Sequence, residues 1–453
     1  MWHGDIATDI AVRLQVLDER GKLGRREILE LVRALDSERL QPIAMDKRRA
    51  RVRHRMPHDA GASQLFHLVS IWGERPTLRV MQSLTLYDEL TAGRTRFLRV
   101  DDLCRLGSEV KPALLPTKSQ LEAEARLPLR EKQKAELKQG IFLSEILADP
   151  EAGTHLCHTM LLPREDSGTH LEQYKRTGVL DLGTVHLQRR GKASVLTMRN
   201  PRYLNAEDES TIAPMEIAVD VALLDPQTEV CVLRGGAVEH PKHNGRRIFG
   251  AGINLTHLYE GRIRYVWYLL RDLGFVNKIY RGLAAEGHSP ELASTEKLWI
   301  AAVEGFAIGG HCQVLLTIDY TIAAEDAYLT LPARKEGIIP GAANLRLPRF
   351  VGDRIARQAI LAERRIDCAS AEGRLVCDEI VPAQEMDAAL ERIVERLTSS
   401  GVVSAAGNRR AFRAGEESLD TFRRYMAVYA REQAYCHFSP ALIANLERNW
   451  KTR

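Results

Sequence analysis

Residues 297–313 read KLWIAAVEGFAIGGHCQ, and the reading of this stretch decides the fold. Lys297 to Val303 is a short apolar run with an aromatic and β-branched residues, the composition of a buried strand. Gly305 punctuates it, and Gly309-Gly310 then opens a helix through His311, Cys312 and Gln313. Glycine lets a backbone approach a ligand closely and take angles other residues avoid. The first N–H groups of a helix have no partner within it and sit at the positive end of its dipole. A second turn of the same kind, Phe249-Gly250-Ala251-Gly252-Ile253-Asn254, precedes what reads as a long helix. Two such N–H groups aimed at one point make an oxyanion hole. Either turn by itself is more often plain close packing.

Outward from these turns the chain alternates short apolar runs with helical ones. Ala193–Met198 (ASVLTM), Glu229–Arg234 (EVCVLR), Ile318–Ala324 and a short segment from Leu329 read as strands. Asn200 to Leu223 opens on an Asn-Pro turn and then reads as mostly helix. Strands separated by helices imply an α/β class with repeated βα units. Before about Tyr174 the texture is charge-rich and helical: Ile6, Ile10, Leu14 and Leu17 recur at helical spacing. Lys118–Leu147 holds good helix formers, with Pro only at Pro128. After about Gln384 the chain returns to helix, with Phe422, Tyr425, Met426 and Tyr429 along one face. The expected domains are a helical N-terminal domain over 1–178, an α/β core over 179–383 and a helical C-terminal segment over 384–453, the last serving oligomerisation.

Composition excludes several classes. Lys plus Arg minus Asp plus Glu is 64 − 60 = +4 over 453 residues, too little for a nucleic-acid surface. The basic stretch Asp46–His58 (DKRRARVRHRMPH) reads as a solvated, salt-bridged helix face, with a nucleic-acid or CoA-phosphate patch as the alternative. No apolar stretch approaches the roughly 18 residues that span a membrane, and the first residues lack the apolar core of a secretory signal. Seven scattered cysteines form no disulfide framework, so a reducing, cytoplasmic setting is expected. His155, Cys157, His158 and His170 match no zinc spacing, and no metal site is expected.

Four motifs, Leu196–Ala206 (LTMRNPRYLNA), FGAGIN, GFAIGGHCQ and Leu331–Gly352 (LPARKEGIIPGAANLRLPRFVG), stand in the order found in the crotonase (enoyl-CoA hydratase/isomerase) superfamily. From about Val185 to Pro382 the chain resembles that family. The resemblance implies a crotonase-like core of repeated ββα units and assembly as trimers or dimers of trimers, the latter a hexamer. It implies that the amides of Ile253 and Gly310 hold the thioester oxygen of an acyl-CoA. It also exposes two departures: the positions of the two hydratase glutamates are Gln313 and Ala333 here. An amide has no useful acid–base pKa and alanine has none, so hydration by that pair is not expected.

The segments Val238–Gly261 and His311–Gly352, and the helical extension with them, resemble an oxygen-consuming branch of the superfamily that serves glycopeptide-antibiotic (dihydroxyphenylglycine) biosynthesis. That resemblance implies a dioxygenase needing neither metal nor organic cofactor. Its implied substrates are 3,5-dihydroxyphenylacetyl-CoA and O2, its products 3,5-dihydroxyphenylglyoxylate and CoA. In this reading Gln313 hydrogen-bonds a ring hydroxyl or a peroxide, against the alternative of a satisfied helix amide. Glu207 orients a ring hydroxyl or assists proton removal, or is a first-turn acid on a helix dipole. Arg271 binds a phenol oxygen or forms a surface ion pair. His240 contacts substrate or CoA, or is a solvated loop residue. Ile338 walls a dry pocket for O2 or is plain core. Gly252 and Asn254, flanking Ile253, join the substrate-binding set. The general base is not evident; Glu207 and His240 are the candidates, with a water as the alternative. Rival functions are a thioesterase or decarboxylase on the same fold, and a silent acyl-CoA-binding partner.

Overall fold

The computed structural model describes residues 76–449 apart from 290, 292 and 401. The helical periodicity of Ile6 to Leu17 and the basic stretch Asp46–His58 lie outside the described residues. The described residues belong to one compact unit. The helices between Pro76 and Thr177 therefore share a core with everything that follows, and the change from helix to sheet comes at Gly178, where a left-handed turn ends the helix Ser167–Thr177.

The strands in chain order are β1 (Val179–Asp181), β2 (Val185–Arg190), β3 (Ala193–Met198), β4 (Val230–Gly235), the small hairpin β5 (Leu283–Ala284) and β6 (Ser294–Thr295), β7 (Leu298–Val303), β8 (Phe306–Ile308), β9 (Tyr320–Ala324), β10 (Tyr328–Thr330), β11 (Ile366–Asp367) and β12 (Glu379–Val381). The main sheet runs β1-β2-β3-β4-β7-β9-β12, and a smaller one β11-β10-β8. β1, β2 and β3 pair antiparallel; from β3 to β12 every pairing in the main sheet is parallel. Leu196 lies opposite Leu233, and Leu233 opposite Ala301. All six residues of β4 are buried, because parallel strands covered on both faces need apolar residues on both. β3, β4, β7, β9 and β10 fall where the alternating runs of the sequence place them; β1, β2, β5, β6, β8, β11 and β12 were not read from the sequence.

The helix Glu209–Leu224 starts on a capping box between Asp208 and Thr211. Pro214 sits inside it and cannot donate to the Ser210 carbonyl; that carbonyl instead accepts the Thr184 hydroxyl at 2.9 Å. Two expected continuous helices are broken. Lys118–Ala125 and Leu137–Ala148 are separate helices with a 3-10 turn at Leu129–Glu131, as Pro128 cannot continue the first. The long helix expected after Asn254 is three pieces, Leu255–Tyr259, Val266–Leu273 and Phe275–Arg281. Gly261 takes a positive φ between the first two, and Gly274 leaves helical geometry at φ −86°, ψ −115° between the second and third. A Cβ on Gly274 would meet the Glu216 carboxyl at 3.2 Å, so the break doubles as a close approach. These pieces let Val266–Leu273 pack among the helices Val100–Val110, Pro150–Leu161 and Glu209–Leu224.

The C-terminal helices Met386–Thr398, Val402–Glu416, Leu419–His437 and Pro440–Asn449 complete the unit. Leu419–His437 lies so close on Leu137–Ala148 that a Cβ on Gly140 would come within 2.3 Å of the Ala434 Cβ. Its inner face buries Phe422, Met426 and Tyr429, as their spacing implies.

Candidate active site

The two glycine turns meet. Phe249–Asn254 runs between β8 on one side and Glu207 on the other, with Gly250 bridged to Ala307 and Ile253 bridged to Glu207. Glu207 N–H donates to the Gly252 carbonyl at 2.7 Å, and Asn254 N–H to the Glu207 carbonyl at 2.8 Å. In a parallel bridge that pattern turns the N–H of the middle residue, Ile253, to the opposite side. There it finds Gly310, the first residue of the helix Gly310–Leu315. A Cβ on Gly252, whose φ is +78°, would lie 3.2 Å from the Gly310 nitrogen and 2.8 Å from the Ile308 carbonyl oxygen. Only glycine allows this approach. Among the described residues neither the Ile253 nor the Gly310 N–H has an acceptor within the chain.

His311 holds the pair in register. Its Nδ1 accepts the Gly252 N–H at 3.0 Å, so the ring carries its proton on Nε2 when neutral. The ring lies against Gly250, whose Cβ would meet it at 2.2 Å, and edge-on to Phe249. Burial keeps it neutral by lowering its pKa to about 4.

In front of the two amides is a narrow cleft of about 30 Å3. One part of its lining, the floor, is polar and the other part apolar. Arg271, 3% exposed, is the hub of the floor. It donates Nε–H to Glu207 at 2.8 Å, Nη1–H to Asp272 at 2.9 Å and to the Gln313 side-chain oxygen, and Nη2–H to the Gly310 carbonyl at 2.8 Å. Gln313 returns an N–H to Asp272 at 2.8 Å, and the Tyr429 hydroxyl bonds the same carboxylate. Glu207 and Asp272 together keep the guanidinium charged against the cost of burial. Four of its five N–H groups are engaged, which leaves one directed by the same rigid fork. Ile338, Ile339, Trp267 and Tyr268 form the apolar wall.

Most residues expected from sequence meet here: Glu207, Ile253, Arg271, Gly310, Gln313 and Ile338 line one cleft, with Ala333 beside them. Arg271 is not a surface residue, and Glu207 is not in a helix first turn: it lies two residues before the helix Glu209–Leu224, on the bridge to Ile253. Gly252 acts through the turn's geometry. Asn254 faces away from the cleft; it caps the helix Leu255–Tyr259 through His257 N–H and bonds Asp208 at 3.0 Å. His240 stands outside the cleft, in a loop, with its ring beside His243 and its Nδ1 accepting Lys242 N–H at 3.3 Å. His155 bonds the Tyr87 hydroxyl at 2.6 Å and stacks on Phe97 in the helical region. Sequence reasoning missed Asp272, Glu336, Tyr429 and the role of His311. Asp272 follows Arg271 directly, and Glu336 lies one helical turn beyond Ala333, which is the signal that points to it.

The profile of the enoyl-CoA hydratase/isomerase family matches residues 189–435. The chain belongs to this family. Within the enoyl-CoA hydratase/isomerase family it is similar to a (3,5-dihydroxyphenyl)acetyl-CoA 1,2-dioxygenase of Amycolatopsis orientalis, 48% identical over 350 residues that cover 77% of this chain and 80% of the relative. A short-chain-enoyl-CoA hydratase of Clostridium acetobutylicum is 27% identical over 245 residues, covering 53% of this chain and 86% of that one. Among solved structures, an enoyl-CoA hydratase from Mycobacterium avium subsp. paratuberculosis K-10 is 21% identical with a TM-score of 0.49, covering 60% of this chain and 98% of that one. The core is thus the α/β crotonase fold, flanked by helices on both sides in sequence. Among the described residues no helix is long and apolar enough to cross a membrane.

Proposed function

We propose that the protein is a dioxygenase that converts 3,5-dihydroxyphenylacetyl-CoA and O2 to 3,5-dihydroxyphenylglyoxylate and CoA, without a metal or organic cofactor. The observation that carries this reading is the pairing of an open two-amide hole with a buried Arg271–Glu207–Gln313–Asp272 floor, in a chain 48% identical to a dioxygenase of that name. A hydratase pair is missing at Gln313 and Ala333, so the cleft stabilises a thioester enolate without the means to add water to an alkene.

The chemistry follows from the residues. The Ile253 and Gly310 N–H groups receive the thioester oxygen as charge moves onto it; one such donor is worth on the order of 10²–10³ in rate. The polar floor presents the unengaged Arg271 N–H and the Gln313 amide to ring hydroxyls. The apolar wall at Ile338 keeps water from the carbanion and gives O2 a dry space beside it. The electron-rich ring spreads the carbanion, which reduces O2 directly at Cα. Transamination of the α-keto acid yields an arylglycine, so antibiotic biosynthesis is the expected setting. We further expect a homo-oligomer, trimer or hexamer.

The test is an oxygen-electrode trace with EDTA-treated protein and 3,5-dihydroxyphenylacetyl-CoA, with released thiol counted in parallel. One O2 consumed per CoA released, unaffected by chelator, is the expected result. CoA release under argon would mean a thioesterase; CO2 release without O2 uptake, a decarboxylase; thioester binding with no turnover, a silent partner.

A further inference from the structure

Three carboxylates face the cleft: Glu207, Asp272 and Glu336. Two are engaged. Glu207 is held by Arg271, and Asp272 by Arg271, Gln313 and Tyr429. Glu336 ends the short helix Ala333–Glu336, is 5% exposed, and has no hydrogen-bond or ion-pair partner among the described residues. Its Oε2 lies 3.9 Å from the point where a Cβ on Gly309 would stand. It therefore sits beside the turn whose next amide, Gly310, forms half of the oxyanion hole. An unpartnered buried carboxyl is costly and is retained where something else uses it.

We propose that Glu336 is the general base of this reaction and takes a Cα proton from the bound arylacetyl thioester. The inference rests on the proposed dioxygenase reading and supplies the base that reading lacks. The Cα–H bond breaks, the proton goes to a Glu336 oxygen, and the bonding pair enters the enolate whose oxygen the Ile253 and Gly310 amides hold. O2 accepts two electrons at Cα and becomes a peroxide bound there. The terminal peroxide oxygen attacks the thioester carbonyl and expels CoA thiolate, which takes the proton from Glu336. Glu336, ionised again, takes the second Cα proton; the C–H pair forms the ketone π bond as the O–O bond breaks, and the O–O pair stays on the carboxylate. One substrate proton ends on the thiol and the other passes from Glu336 to solvent, and the two Cα–H bonds supply all four electrons of O2 reduction.

The surroundings suit the task. Burial raises Glu336 to about 8, opposed by Lys335 and assisted by Glu363. A base poised near working pH is strong enough to take a weakly acidic proton and is still ionised for part of the time. Of the elements packed around it, Val266–Leu273 offers Tyr268, kept neutral by burial, and the Arg271–Asp272 pair. Leu419–His437 offers Tyr429, also kept neutral. Pro440–Asn449 offers Glu447, which accepts the Tyr259 hydroxyl at 3.0 Å. Arg334 on its own helix is directed to Glu363 at 3.9 Å.

The decisive experiment separates enolate formation from oxygen chemistry. 3,5-Dihydroxyphenylacetyl-CoA is incubated with the enzyme in D2O under argon, and deuterium entering Cα is followed by mass spectrometry. The wild type is expected to exchange, with a rate that climbs toward a plateau near pH 8. Glu336→Gln should lose at least ~10²-fold in exchange and in O2 uptake alike, while binding the same thioester under argon within about threefold of wild type. Glu336→Asp, which keeps a carboxylate, should recover part of both. Wild-type exchange by Glu336→Gln overturns the assignment while the dioxygenase reading stands. A wild-type exchange rate flat between about pH 6 and 9 overturns it without any variant. A wild type that neither exchanges nor consumes O2 sinks the parent reading and the base with it.

Discussion

Arg271 shows how much one side chain settles in this cleft. Its planar fork meets two carboxylates, an amide oxygen and a backbone carbonyl at once. A lysine carries the same charge but only three donors at one point, so Arg271→Lys leaves a buried carboxylate without its partner. Breaking a buried pair of this kind costs about 3–5 kcal/mol, and we expect that loss in chemical denaturation together with loss of O2 uptake. Gly252 is demanding for a different reason. Alanine there would combine a left-handed backbone with a Cβ 2.8 Å from the Ile308 oxygen. Gly252→Ala should spread the Ile253 and Gly310 amides and lower kcat by about 10²-fold or more, with a smaller change in KM. An unchanged kcat would mean that the two amides do not hold the thioester oxygen.

At the scale of elements, the C-terminal helices are part of the site and not an appendage. Leu419–His437 delivers Tyr429 to the Asp272 carboxylate and lies against Leu137–Ala148. The preceding helix, Val402–Glu416, is fastened by buried arginines: Arg409 bonds Glu296 at 3.0 Å and Arg413 bonds it at 2.6 Å. Glu417 in turn accepts Arg281 and Arg346 at 3.0 and 2.9 Å. Glu296→Ala leaves buried Arg413 without a carboxylate partner and Arg409 with Asp319 alone, and we expect a stability loss of about 3–5 kcal/mol by thermal unfolding. Gly140→Leu forces a side chain into the Ala434 contact, a backbone-to-backbone approach that cannot relax by a rotamer change. It should lower both stability and O2 uptake, because the helix it displaces carries Tyr429. A variant that unfolds earlier yet keeps full turnover would separate that helix from the site.

For the whole molecule, buried titratable groups of opposite sign set the pH window. His311 and His437 are lowered by burial to about 4 and about 3. Below the ordinary histidine value the unfolded chain takes protons that these rings refuse, so stability falls as pH drops from about 6.5 toward 4. The His311 contribution alone amounts to about 3 kcal/mol over that range. Glu336 acts the other way. The folded chain holds its proton up to about 8, so stability falls as pH rises from the ordinary carboxylate range toward that value. Glu336→Gln removes this alkaline term. At pH 8 it should unfold at a higher temperature than the wild type while turning over far more slowly, the signature of a residue kept for function against stability. A Glu336→Gln variant less stable than wild type at pH 8 would show that the carboxyl is satisfied in the fold.

The sequence by itself determined the class, five of the strands and the two amides. Apolar runs of six or seven residues bounded by glycine have few other readings, and GFAIGGHCQ and FGAGIN carry their backbone geometry in their glycines. Those signals are local, so Ile253 and Gly310 could be named before their meeting was seen. Side chains that act through partners far along the chain were not legible. Arg271 read equally well as a surface residue, since nothing in its neighbourhood reveals that Glu207 and Gln313 lie 64 and 42 positions away in the same pocket. Asn254 and His240 drew attention by standing near a motif, yet the fold turns one into a helix cap and leaves the other in a loop. Glu336 was passed over because the motif position falls on Ala333, one helical turn before it. Only the tertiary structure decided which carboxylate is left unpaired in the cleft, because pairing depends on where segments from Glu207 to Tyr429 converge, and no local pattern encodes that convergence.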